Sequence, residues 1–152
     1  MLEWLPQLVQ DYGLIGLMFS SLIGSTVFLP FTVELTFPLL IRAGISKVAI
    51  IWFAAIGALT GTYVNYILGY MGVKFIYNHT NKEERGRARR FMDRYGWAGV
   101  FMALAIPIPL PVDFLTILPG AAKMNPFEFT AVVFTAKIIK YALILGVISI
   151  IL

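Results

Sequence analysis

Long apolar runs with few polar interruptions dominate the chain. Residues 48–73 contain no charged side chain, and residues 126–152 form a second run whose charged residues are Glu128, Lys137 and Lys140. At about 1.5 Å of helical rise per residue, each run is long enough to cross a bilayer with some tilt. The pattern predicts one transmembrane helix in each run.

Two other apolar stretches, residues 13–43 and 96–123, each contain proline breaks and one acid. Proline stops a helix, and non-helical backbone at membrane depth survives only where protein or a water-filled cavity covers it. Each stretch is therefore predicted to be a re-entrant helical hairpin with its acid, Glu34 or Asp113, at the tip. A full crossing by residues 13–29 is the alternative for the first. The prolines at the breaks are Pro30, Pro38, Pro107, Pro109, Pro111 and Pro119.

The two stretches resemble each other in order and content. Each starts at a Tyr-Gly pair, at Tyr12 or Tyr95, and continues with an apolar arm, a proline break, an acid after a valine, a threonine and another proline. This order predicts a duplicated unit, with repeats over residues 12–73 and 95–152, against the alternative of chance similarity between apolar segments. Because one helix crosses between them, the repeats would be inverted, as in many secondary transporters.

Residues 81–95 separate these repeats and supply much of the basic charge behind the net charge of +4. The interval begins with a capping asparagine and a glutamate three residues later, and it carries an apolar stripe. This pattern predicts an amphipathic helix on the membrane. Cytoplasmic loops are rich in Lys and Arg, so we expect this helix on the cytoplasmic side, where it contacts anionic headgroups or only sets topology. The interval is short and lies between membrane segments, so nucleic acid is not expected as a partner. The candidate lipid-facing residues are Arg85, Arg87, Arg89 and Arg90.

Composition narrows the class of protein. The chain of 152 residues is 59% hydrophobic and 13% charged, whereas soluble domains are about 45 to 50% apolar and about 25% charged. With no cysteine and a single histidine, His79, no metal site is expected. No cofactor is expected, and without a nucleophile and base pair or a glycine-rich phosphate loop an enzyme is not expected either. The predicted fold class is an all-α polytopic membrane protein with one domain over residues 1–152.

Polar residues inside the two transmembrane helices are the candidate site. Asn65 lies on a face of small residues in the first helix, and this face predicts close packing against a neighbouring backbone, with Asn65 and Tyr66 beside an acid in the sharper interpretation. Lys137, Lys140 and Tyr141 share a face of the last helix, where a lysine should face the interior and find an anionic partner. The face of small residues consists of Gly57, Gly61 and Gly69. It could serve an internal contact or a homo-oligomer.

Four motifs in this order resemble the DedA superfamily, also called the VTT or SNARE-associated domain, nearest its short YqaA-like branch. The resemblance covers about residues 12 to 145. The motifs are Phe28-Leu29-Pro30 through Glu34, Gly61-x-x-x-Asn65-Tyr66-x-x-Gly69, Pro107-Ile-Pro-Leu-Pro-Val-Asp113 to Pro119-Gly120-Ala121, and Ala136-Lys137-x-x-Lys140-Tyr141.

The resemblance implies two re-entrant hairpins from opposite leaflets and a role in moving lipid, as a flippase or scramblase of phospholipids or polyprenyl phosphates. It also implies a prokaryotic plasma membrane and, for some members, dependence on a proton or sodium gradient. It gives Glu34 and Asp113 the role of membrane acids and Lys137 and Lys140 that of phosphate-attracting groups. Where larger members carry arginines beside the second break, this chain has Ala105 and Leu110, which weakens a phosphate-carrier assignment.

Three other interpretations stay open from the residues. The acids could pair with the lysines only to hold the fold. The inverted broken helices could serve a small-solute or ion exporter. The basic helix could be the partner surface of a membrane-protein interaction or assembly factor.

Overall fold

The computed structural model describes residues 4–26, 32–79, 82–107 and 113–151, and this part of the chain contains helices and turns but no strand. A 3₁₀ turn precedes each of the two short helices, at Val33–Thr36 and at Asp113–Thr116. The predicted all-α class is confirmed for the described residues. The helices are α1 (Trp4–Gly24), α2 (Phe37–Arg42), α3 (Lys47–His79), α4 (Lys82–Ala105), α5 (Ile117–Ala121) and α6 (Pro126–Ile151).

Two helices are long and apolar enough to cross a membrane. They are the Lys47–Gly72 part of α3 and the whole of α6. Helix α3 continues to His79, beyond the segment 48–73 expected from the apolar run, because no proline interrupts residues 47–79. Hydrophobicity therefore locates the membrane part of α3 but not the end of the helix.

The two halves of the chain repeat one order of elements: a bent helix, a 3₁₀ turn, a short helix and a long helix. The bends lie at Gly13, with φ 59° and ψ −125°, and at Gly96, with φ 49° and ψ −132°. This backbone conformation is open to glycine and costly for other residues. Of the segment 81–95, which the sequence predicts as an amphipathic helix between the repeats, residues 82–95 form the first arm of α4 and match the arm of α1 before Gly13.

The long helices form the centre of the packing. Helix α1 packs along α3, α4 packs along α6, α3 contacts α6, and the short helix α5 crosses α3. The buried apolar side chains form two clusters, one with Leu17, Phe37, Ile50, Tyr141 and Leu145, the other with Tyr66, Leu104, Phe129, Val133 and Ala136. Along α6 the second cluster ends at Ala136 and the first begins at Tyr141, so the residues between them lie where the clusters meet.

Close backbone contacts fix α3 against two neighbours. A Cβ added to Gly57 or Gly61 would lie 2.2 Å from a carbonyl oxygen of α1. A Cβ added to Gly120 of α5 would lie 2.0 Å from the carbonyl oxygen of Tyr66. One on Gly69 would lie 2.2 Å from that of Ile117. The glycine face of α3 thus contacts α1 through Gly57 and Gly61 and α5 through Gly69.

We predict that Gly120→Ala destabilises the protein, because the added methyl group meets backbone that cannot rotate away. Overpacking of this kind costs about 1 to 3 kcal/mol. Reversible unfolding of the purified protein in a titration of denaturing detergent would measure the loss.

Gly146→Ala is the matched control, since a Cβ at Gly146 meets nothing within 4 Å. It should leave the unfolding free energy nearly unchanged. Equal behaviour of the two variants would contradict a backbone contact between α3 and α5.

Candidate functional site

Two buried lysines mark the centre of α6. Lys137 and Lys140 flank the middle of this 26-residue helix, and each is 1% exposed. Their spacing of three residues places both ammonium groups on one side of the helix, about one turn apart. A charge this deep in an apolar segment is expensive unless it is paired.

Each lysine pairs with an acid from a different half of the chain. Lys140 Nζ lies 2.7 Å from Glu34 Oε1, and Lys137 Nζ forms an ion pair with Asp113 Oδ1. Glu34 is 5% exposed, whereas the Asp113 side chain is 13% exposed. Two positive and two negative groups therefore form a charge-balanced centre between the apolar clusters, which we call the paired-charge site.

The two 3₁₀ turns present these acids in nearly matching ways. Thr36 Oγ1 donates a hydrogen bond to the carbonyl oxygen of Val33 at 2.7 Å, and Thr116 Oγ1 donates to that of Asp113 at 2.6 Å. Each bond joins a threonine to the carbonyl oxygen three residues earlier and so closes its own 3₁₀ turn. Glu34 is the second residue of its turn, whereas Asp113 is the first, and the two acids meet lysines one helical turn apart.

Asn65 joins the two halves beside this site. Its Nδ2 lies within hydrogen-bonding distance of three acceptors that share its two hydrogens: the carbonyl oxygens of Ser25, at 2.9 Å, and Asp113, at 3.1 Å, and Thr116 Oγ1, at 3.1 Å. Ser25 directly follows α1, and Thr116 ends the second 3₁₀ turn. A buried amide that satisfies groups from both halves holds the second turn in place, because losing it would leave buried acceptors unpaired.

Tyr141 completes the site next to the lysines. Its ring packs edge-on against Phe37, with centroids 5.4 Å apart, and Lys137 Nζ lies 5.7 Å from the ring centroid. The tyrosine lies close to both acids and within hydrogen-bonding reach of Ser21. The candidates Glu34, Asp113, Asn65, Lys137, Lys140 and Tyr141 thus come together in one buried site.

Tyr66, a candidate from the sequence, lies elsewhere. Its hydroxyl donates a hydrogen bond to the carbonyl oxygen of Met124, and its ring packs against Phe129 with centroids 4.6 Å apart. Adjacent helical residues point in directions about 100° apart, so Asn65 faces the second 3₁₀ turn while Tyr66 faces the start of α6.

The proline and arginine candidates have mixed placements. Pro38 is the second residue of α2, and Pro119 is buried within α5. Pro107 is exposed after the end of α4, and Arg90 is exposed on α4. Outside the described residues lie Pro30, Pro109, Pro111 and the side chains of Arg85, Arg87 and Arg89.

Four polar residues near the site were not singled out as site candidates from the sequence: Thr36, Thr116, Ser21 and Ser25. Ser21 Oγ donates to the carbonyl oxygen of Ala54 at 2.7 Å, which ties α1 to α3 deep in the bundle. The signal was present in the sequence, because Ser21 and Ser25 recur four residues apart in an arm without charged residues and so share one helical face.

The chemistry open to the paired-charge site is exchange of ion-pair partners. A carboxylate that takes a proton no longer neutralises its lysine, and the lysine can then bind another anion. Lysine presents three donors on a flexible stem and binds phosphate as a point charge. Within the described part of the chain, no group of three or more histidine, aspartate or glutamate residues could hold a metal ion.

One comparison with known proteins identifies a family. The family model described as the VTT domain matches residues 29–150. The chain is 26% identical over 145 residues to an uncharacterized protein, MJ0201, of Methanocaldococcus jannaschii, and the match covers 94% of this chain and 88% of that protein. No solved structure matches the chain at a significant level.

We predict that Lys140→Met destabilises the protein more than the double variant Glu34→Gln/Lys140→Met. The single change leaves a buried carboxylate without its cation, which costs about 3 to 5 kcal/mol, while an ion pair replaced as a unit is often nearly neutral. Detergent-induced unfolding of both variants beside wild type would measure the difference. A single variant as stable as the double would mean that the Glu34–Lys140 pair contributes no coupling.

Proposed function

The chain belongs to the VTT-domain family, and from that premise we propose that it is a membrane lipid transporter, a flippase or scramblase of phospholipid or polyprenyl-phosphate lipids. The proposal rests on the two buried ion pairs at the middle of α6. Ionisable residues inside a membrane segment are costly and commonly mark the path of a substrate or ion. Two such pairs, with one acid from each half, suit a path that both halves line.

The proposed step is an exchange of partners at the lysines. Protonation of Glu34 or Asp113 would neutralise the acid and release Lys140 or Lys137 to bind a lipid phosphate. Return of the proton to water would restore the ion pair and expel the headgroup. Sodium would act in the same way by taking the place of the lysine at the carboxylate, so either H⁺ or Na⁺ can couple the cycle.

The proposed topology follows from the order of elements. If α3 and α6 cross the bilayer, each preceding bent helix, 3₁₀ turn and short helix is proposed as a re-entrant hairpin that enters and leaves on one side. The single crossing by α3 places the hairpins on opposite sides, which makes the repeats inverted. The excess of Lys and Arg in the first arm of α4 favours the cytoplasmic side of a plasma membrane for that arm.

The rival interpretation is that the paired charges only hold the fold. The two interpretations predict different results for a variant in which an ion pair is replaced as a unit. If the charges only hold the fold, such a variant would keep both the fold and any lipid movement. Because such a replacement can be nearly neutral for stability, the chain offers variants that separate the two interpretations.

We expect wild-type protein in liposomes to move a fluorescent phospholipid from the inner to the outer leaflet, where an added quencher reaches it. With the double variant Glu34→Gln/Lys140→Met, the inner-leaflet fluorescence should stay protected from the quencher. Asp113→Asn/Lys137→Met should behave in the same way. Each variant is tested with its unfolding curve and with gradients of H⁺ and Na⁺ imposed in turn. Lys47→Gln, which removes an exposed lysine at the start of α3, is the matched control and should transport normally.

Two results would contradict the proposal. Full activity of both folded double variants would leave the ion pairs with a structural role alone. Absence of phospholipid movement by wild type under every gradient would remove phospholipids as the substrate class and turn the test to polyprenyl phosphates and small solutes.

A further inference from the structure

A groove separate from the paired-charge site lies between the end of the spanning part of α3 and the turn that leads into α6. Its volume is about 720 Å³, and it is lined by Tyr66, Ile67, Tyr70, Met71, Lys123, Met124, Asn125 and Pro126. The lining combines aromatic and apolar side chains with one lysine. We call it the Lys123 groove.

The position of the groove matches the level of lipid headgroups. In the sequence, Lys74 ends the uncharged run of α3, and the apolar segment of α6 begins at Pro126. The groove contains residues close to both boundaries. Tyrosine is enriched at this level because its ring is apolar and its hydroxyl is polar. The groove therefore meets the membrane at the depth where phosphate groups lie.

Lys123 has a charge that nothing else in the described structure neutralises. Its side chain is exposed, and among the described residues the ion pairs present involve other lysines. Its Nζ lies 5.8 Å from the centroid of the Tyr70 ring, and the described lining contains no acidic residue. A cation held over an aromatic ring at headgroup level complements an anion.

The backbone at Lys123 points to a reason for the lysine. It has φ 55°, a conformation that favours glycine. The matching turn of the first half has Gly44 there, with φ 81°, and both turns are closed by the same pattern of backbone hydrogen bonds. A lysine at this position costs more conformational free energy than a glycine would.

We propose that the Lys123 groove binds the anionic phosphate headgroup of a membrane lipid. The acyl chains would run along the exposed apolar surface of α3, where Ile67 and Met71 line the groove, and the phosphate would contact Lys123. This inference deepens the proposed transport function and rests on it for the role of the groove as the first binding site of the lipid. Binding itself is measured without transport.

The test is native mass spectrometry of the full-length protein in detergent with added phosphatidylglycerol or phosphatidylcholine. Wild type is expected to bind phosphatidylglycerol more tightly. Lys123→Gly should lose about fivefold in affinity for phosphatidylglycerol, the factor that corresponds to roughly 1 kcal/mol per lysine near a lipid phosphate surface. Lys123→Arg, which keeps the charge, should retain the affinity.

Folding and charge effects are separated by the choice of variants. Glycine suits the observed backbone at this position, so Lys123→Gly should unfold no more easily than wild type. Lys123→Asn, also neutral and tolerant of this conformation, is the second variant. Lys47→Gln, which removes another exposed lysine, is the matched control and should bind phosphatidylglycerol normally.

The proposal would be overturned if both neutral Lys123 variants kept the wild-type affinity for phosphatidylglycerol, or if Lys47→Gln lost as much affinity as they do. It would also be overturned if inorganic phosphate displaced the lipid, because the groove would then be a site for free phosphate. The outcome is also separable from the proposed function. Lipid movement by a protein whose Lys123 variants bind normally would leave transport standing without this groove. Lys123-dependent binding by a protein that moves no lipid would leave the groove standing without transport.

Discussion

The pairing of two lysines with two acids in the middle of an apolar bundle is the constraint on which the other features depend. Four charged groups can be buried together only if each lies at hydrogen-bonding distance from a group of opposite charge. Removing one partner of a buried ion pair costs about 3 to 5 kcal/mol. The turn-closing threonines, Asn65 and the buried ring of Tyr141 surround these pairs. Each of these side chains either positions an acid or excludes water from it.

The two short helices meet the long helices through different kinds of contact. Helix α5 touches α3 backbone to backbone, through Gly120 and Gly69. The region around α2 meets α6 through side chains, with Phe37 edge-on to Tyr141 and Glu34 paired with Lys140. Side chains can separate by changing rotamers, whereas interlocked backbones cannot, so loss of the Glu34–Lys140 pair would loosen α2 from α6 while α5 stays against α3.

The two halves share one order of elements, and local differences give them different charges. Gly13 and Gly96 bend the first helix of each half in the same way. The arm before the bend is strongly basic in α4, whereas the described arm of α1 carries Asp11 and no basic residue. The turn that contains Gly44 in the first half contains Lys123 in the second. The two halves thus carry different charges at matching positions.

The sequence by itself determined the helical class, the two spanning helices and the kinds of residue that must lie inside, because helix period and membrane thickness act locally along the chain. It also identified Glu34, Asp113, Lys137 and Lys140 as interior groups, since a charge in an apolar run needs a partner. Only the tertiary structure decided which acid meets which lysine, that Tyr66 turns away from the acids, and that Lys123 faces a groove. Those outcomes depend on how helices distant in sequence cross each other, and close contacts such as Gly120 with Tyr66 set that geometry.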